Sequence, residues 1–210
     1  TSARSPIATI NVSLTTSSAT KTMPAGTAFS STVDDVSYQF VTIADITSSN
    51  NGGVVSFDST KVYEGTFLTT KYLVDTSDVE QRYLLGDNRA DTSTLTVKVQ
   101  NSASDSTITT YTKATDITQL SSTSTVYYLQ EVDNGRFEVY FGDGVVSRSL
   151  SDGNIVILEY VVTNKTAANG ASSFSAPSTI DGVSNISLST VTNASGGSEP
   201  ESLNSIKLQA

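Results

Sequence analysis

Carboxylates stand close together at Asp34-Asp35 and at Glu199 with Glu201. Glycoside hydrolysis uses paired carboxyl groups, but it needs them facing one sugar across a cleft at a set separation. Neighbouring residues on a strand point to opposite faces, which argues against Asp34-Asp35. Glu199 and Glu201 follow Ser198 and flank Pro200, a spacing that suits the first turn of a helix. The chain contains no His and no Cys. That removes His-based triads, Cys nucleophiles, disulfides and zinc sites of the usual ligand types. No nucleophile elbow, phosphate loop or dinucleotide fingerprint is present. No catalytic, cofactor-binding or metal-binding residue is assigned, and the chain reads as a non-enzyme.

Four fragments look faintly like calcium loops: Gly86-Asp87-Asn88, Asp133-Asn134-Gly135, Gly142-Asp143-Gly144 and Asp152-Gly153-Asn154. None carries the oxygen-ligand ladder of an EF-hand or the tandem repeats of a calcium β-helix. Turn chemistry explains all four. Sequons at Asn11, Asn164, Asn185 and Asn193 are expected by chance in so Ser- and Thr-rich a chain.

The elements that must carry these residues are strands. Thr favours strands, while Ser, Asn and Gly favour turns, and that mixture over 210 residues predicts many short strands joined by polar loops. The net charge of −9 leaves no basic stripe for nucleic acid and would be repelled by an acidic membrane surface. No apolar run is long enough to span a bilayer.

Along the chain, Ile7–Leu14 alternates with a period of two, and Pro24 and Gly26 mark a turn before a short strand. Tyr38–Ile46 is the next strand candidate, closed by Ser48-Ser49-Asn50-Asn51-Gly52-Gly53. Val54–Phe57, Val62–Leu68 and Tyr72–Val74 read as short strands, with Leu95, Val97 and Val99 alternating beyond a loop at Gly86–Asp91. Tyr83-Leu84-Leu85 fits either a strand or a single turn. Val126–Val132 and Arg136–Phe141 form a hairpin in which Asn134-Gly135 supplies the positive φ of a two-residue turn. There Phe137, Val139 and Phe141 face one way, with Arg136, Glu138 and Tyr140 opposite. Ile155–Val162 is nearly all apolar and is the expected sheet centre. Ser198-Glu199-Pro200-Glu201 is a capping box, with Leu203, Ile206 and Ala210 at helical spacing behind it. A chain that opens on Thr1 and stops inside this pattern reads as a piece of a longer protein.

The stretch from Thr123 to Phe174 carries a resemblance: Ser124–Leu129, Phe137–Gly144, Ile155–Tyr160, Thr163-Asn164 and Ala168–Ala171 in that order. Met23–Phe29 and Gly196–Ser202 add a proline-x-glycine-threonine turn and a glycine-glycine-x-x-proline-glutamate helix start. With these the chain resembles the baseplate wedge proteins of T-even-type contractile-tailed phages, within the wider baseplate J-like family. Val54–Thr118 carries little of the likeness.

The resemblance implies the β-rich middle of such a protein, without the family's N-terminal helical part and its C-terminal part. The fold class expected is all-β, a sandwich-like domain of antiparallel and mixed short strands. It would span residues 1–195, with a small inserted β subdomain over about 50–118 and a helix starting in 196–210. The implied role is structural: a virion protein of the tail baseplate, in contact with other wedge proteins and a second copy of itself. These contacts build a ring around the hub and rearrange on sheath contraction. Gly142, Gly144 and Gly170 would hold backbone shape.

Two other classes compete. A carbohydrate-binding or adhesin-like β module would use the nine Tyr for sugar stacking, although the absence of Trp weakens it. A tail-associated hydrolase is disfavoured by the scattered carboxylates.

Overall fold

A computed structural model describes residues 1–116, 118 and 120–201. The chain opens with β1 (Ile7–Thr15), β2 (Thr20–Met23), β3 (Ala28–Val33), β4 (Val36–Val41), β5 (Ile46–Asn51) and β6 (Val54–Glu64). There follow β7 (Thr66–Leu73), β8 (Tyr83–Leu84), β9 (Ala90–Gln100), β10 (Ile108–Lys113) and β11 (Val126–Val132). Last come β12 (Arg136–Phe141), β13 (Ile155–Val162) and β14 (Ile186–Ser195). The chain is all-β, with antiparallel and mixed sheets, and divides into two compact units. An outer unit holds Ser2–Phe67 and the chain from Val161, and an inserted unit holds Leu68–Tyr160 together with Thr1. The division falls within β7 and β13. Val54–Glu64 therefore belongs to the outer unit, not to an insertion over about 50–118, because it pairs along the whole of β1.

The outer unit is built on a 7-stranded sheet whose main order is β14-β1-β6-β4-β3, with β5 pairing both β6 and β2. β1 is its spine, and its alternation decides the core. Ala8, Ile10, Val12 and Leu14 are buried while the intervening side chains are not. Phe29, Phe40, Phe57 and Val62 pack in the same cluster, and Phe174 meets Phe40 edge-on at 5.0 Å.

β6 is one strand where the sequence suggests two, because a bulge interrupts its period. Ile10 faces Thr60 but Val12 faces Phe57, so one extra residue sits between. Ser59 takes it up at φ +51 and donates its amide to Asn11 Oδ1 at 2.8 Å. The run Ser48–Asn51, expected to end a strand, is itself most of β5. The half-buried Asn50 side chain donates to the Thr16 and Ser18 carbonyls and accepts from the Gly53 amide. Tyr38–Ile46 is correspondingly broken at Thr42, whose hydroxyl donates to the Pro24 carbonyl. β14 lies in a stretch for which the sequence reading assigned no element.

The inserted unit carries the second 7-stranded sheet, in the order β7-β13-β9-β10-β11-β12-β8. β10 and β11 pair in parallel, while β9 to β10, β11 to β12 and β12 to β8 are antiparallel. β13 has its expected bounds and is buried through most of its length, but it stands one strand in from the β7 edge, not at the centre. Its apolar character reflects cover on both faces, which any interior strand can have.

Ser198 pairs in an extended bridge with Arg4, so it is not a helix cap in this structure. The remainder of the expected helix, residues 202–210, lies outside the described residues.

Candidate interaction surfaces

The residues singled out for chemistry sit in turns. Asp34 and Asp35 close the two-residue hairpin between β3 and β4, at φ +49 and +63, with Val33 opposite Val36. Asp133-Asn134-Gly135 closes β11 to β12 as a three-residue turn, not a two-residue one, because Val132 faces Arg136; Asn134 and Gly135 do take positive φ. Asp143 accepts from the Val145 amide, which draws its carboxyl below the usual aspartate range. Asp152 accepts from Thr76, and Asp87 from Arg89. Glu199 forms an ion pair with Lys165. Among the described residues, no three of His, Cys, Asp or Glu are grouped as metal ligands.

Nor do three clefts among the described residues bring acid groups together. A groove of about 370 Å³ beside β3 and β4, lined by Phe29, Tyr38, Gln39 and Ser175 among others, has no charged side chain. A second, across β1 and β14, has Asp58 alone, and a third, near Tyr111, has Arg148 alone.

The stretch that carries the family likeness is organised by buried polar locks. In the hairpin, Glu138, on the face opposite Phe137 and Val139, is only 9% exposed. It is tolerated there because Arg82 donates to it twice, at 3.1 and 2.7 Å, and Gln130 Nε2 adds a third bond at 3.0 Å. The Arg82 guanidinium, and then Gln130, hold the Glu138 carboxyl below the usual glutamate range despite burial. Next to it runs a row of edge-on rings, Tyr72 to Tyr83, Tyr83 to Phe141 and Phe141 to Tyr111, at 5.6, 5.7 and 5.4 Å. Burial raises the Tyr72, Tyr83 and Tyr111 hydroxyl pKa values. Gly142 leaves no room for a Cβ, which would overlap Ser147, and Gly144 takes φ +88.

Thr163-Asn164 performs a similar task in the outer unit. Glu64 is fully buried, and its carboxylate accepts from Thr163 Oγ1 at 2.7 Å, the Asn164 amide at 2.9 Å and Asn164 Nδ2 at 2.7 Å. The Met23–Phe29 turn is tied by the Thr42 bond and by Asp45, which accepts from the Ala25 amide. All these groups spend their polarity internally, so the arrangement positions backbone and holds no reactive centre among the residues named.

What remains open is sheet edge. β14 ends the outer sheet and β7 ends the inserted one. The strand pattern read from the sequence does not include β14. Its signal was available in Ile186, Leu188 and Thr190 alternating with Ser187, Ser189 and Val191.

Residues 69–173, half of the chain, match the family model for the bacteriophage baseplate wedge protein gp6, third domain. The match starts well before Thr123, so most of the segment that seemed to carry little resemblance falls within it. The motifs at Met23–Phe29 and Gly196–Ser202 fall outside. The chain is also 32% identical over 108 residues to the baseplate wedge protein gp6 of Enterobacteria phage T4. That alignment covers 41% of this chain and 16% of the relative.

Proposed function

The chain belongs to the bacteriophage baseplate wedge protein gp6 family, and from that membership we propose that it is a structural component of a phage tail baseplate. Its place is the virion tail, and its work is protein contact without catalysis. The observation that carries this reading is the family match over 69–173, which takes in nearly all of the inserted unit Leu68–Tyr160. The finer reading is that it meets other wedge proteins and a second copy of itself, helping to build a ring around the hub that rearranges when the sheath contracts.

The site chemistry supports a scaffold. Carboxylates close turns or fill buried locks, and most tyrosines are spent on packing. The exposed Tyr140 is stacked on Tyr128 at 5.1 Å. That leaves little of the aromatic platform that sugar stacking would use, which weakens the adhesin reading. Electron microscopy of particles made without this protein tests the role. Tails lacking an assembled baseplate are expected, and complete baseplates on such particles would overturn it.

A further inference from the structure

β10 and the loop that follows β12 bring several hydrogen-bond donors to one cleft of the inserted unit. Thr109 and Tyr111 stand two residues apart on β10, so both side chains lie on one face of the sheet. Val99 is opposite Thr109 on β9 and shares that face. With Arg148 and Ser151 from the loop, these residues line a cleft of about 170 Å³. Asn154 holds one wall in place: its Oδ1 accepts from the Ser151 amide and its Nδ2 donates to the Asn101 carbonyl, both at 2.8 Å. The Arg148 backbone is fixed by its amide, which donates to the Ser124 carbonyl at 3.0 Å.

The side chains so placed have donors to spare. Tyr111 is only 4% exposed, and buried hydroxyls ordinarily find a partner. Among the described residues, none takes the Tyr111 hydroxyl or those of Thr109 and Ser151, and no carboxylate pairs with Arg148. Burial raises the Tyr111 hydroxyl pKa and the Arg148 charge pulls it back, so guanidinium and phenol act on one another. Asp105 is spent on Asn101 Nδ2 at 2.8 Å and on the Thr107 amide at 3.0 Å, and it does not line the cleft. A guanidinium and three hydroxyls therefore line a space that contains no acid.

We propose that this cleft binds a small oxyanion, of the phosphate or carboxylate type, with Arg148 as its counter-charge and Tyr111 as its buried donor. A guanidinium presents parallel N–H groups that match two oxygens of one acid group. The hydroxyls of Thr109 and Ser151 add neutral donors beside it. The volume limits the ligand, since sites for larger organic molecules begin at about 300 Å³. A single acidic group fits, and a sugar chain does not. The net charge of −9 repels anions at long range, so binding depends on these local donors. The inference goes beyond the scaffold reading, which concerns protein contact, and does not depend on it.

Titration of the isotope-labelled chain with sodium phosphate, and separately with sodium acetate, is the test, each run against sodium chloride at matched ionic strength. The Arg148 Nε–H signal is expected to move along a saturating curve with at least one oxyanion, and to stay in place with chloride. Which of the two saturates it, or whether both do, assigns the type of acid group. Arg148→Gln removes the charge at an exposed position, and Tyr111→Phe keeps the ring contact with Phe141 at 5.4 Å. Followed through the Thr109 and Ser151 amide signals, each variant is expected to bind roughly tenfold more weakly, the worth of one hydrogen bond to a charged group. A wild-type chain that neither oxyanion saturates, a chloride series that reproduces the shift, or either variant binding as tightly as the wild type would overturn the inference. The first two of these outcomes require no variant to fold.

Discussion

Gly144 follows β12 at φ +88, and a Cβ there would meet Ser149 Oγ at 3.3 Å. A β-branched residue at that position carries the left-handed cost of roughly 1–2 kcal/mol and also resists the required rotamers. Gly144→Val is therefore expected to lower the melting temperature of the inserted unit, measured by calorimetry. An unchanged transition would show that the turn does not need positive φ. Turns of this kind were legible in the sequence because Gly and Asn-Gly advertise their geometry. Asp34-Asp35 and Ser59 gave no such sign. They also adopt positive φ, but as ordinary L-residues held there by the pairing on either side. Asp34-Asp35 invited a reading as paired carboxylates for the same reason, since nothing in the residue types announces a hairpin.

At the scale of elements, the fold depends on where strands meet through buried carboxylates. Glu138 lies opposite Leu84 across β12 and β8, with Arg82 just ahead of β8. Its folded pKa is depressed below 4.5, first by the Arg82 bond, so its contribution to stability is present above that value. As pH falls through the folded pKa the carboxylate is protonated and the contribution is lost. The inserted unit should therefore weaken below about pH 4.5. Arg82→Met should raise the Glu138 titration, followed by carbon NMR of its carboxyl group. A titration unmoved by that change would mean the guanidinium is not the cause.

Glu64 offers a second test. Truncating it to Ala strands the Thr163 hydroxyl and both Asn164 donors in a buried place, at roughly 1–3 kcal/mol for each group left unmet. The denaturation midpoint should fall sharply, and a small change would mean that water or another acceptor replaces the carboxylate. Strand bounds such as Val126–Val132, Arg136–Phe141 and Ile155–Val162 could be read directly from apolar alternation and turn residues. β5 could not, because Thr47–Asn51 has the composition of a loop and is a strand only through β2 and β6. Glu64 was equally opaque, since its partners lie about a hundred residues on.

On the scale of the whole molecule, the all-β class and the family were legible, the first from Ser, Thr and turn residues and the second from ordered motifs. The domain boundary was not. Val54–Glu64 was grouped with the insertion because a polar, bulged strand resembles a run of short ones, whereas its pairing with β1 is long-range and invisible along the chain. The chain spans 16% of the curated relative it matches, so its assembly partners are a matter of where it sits in a particle. Cryo-electron microscopy of the intact virion measures that directly. Membership of the wedge family predicts density for both sheets within the tail baseplate, with neighbouring proteins seated against the chain. Finding the chain in a fibre, the capsid or the tail tube instead would contradict it.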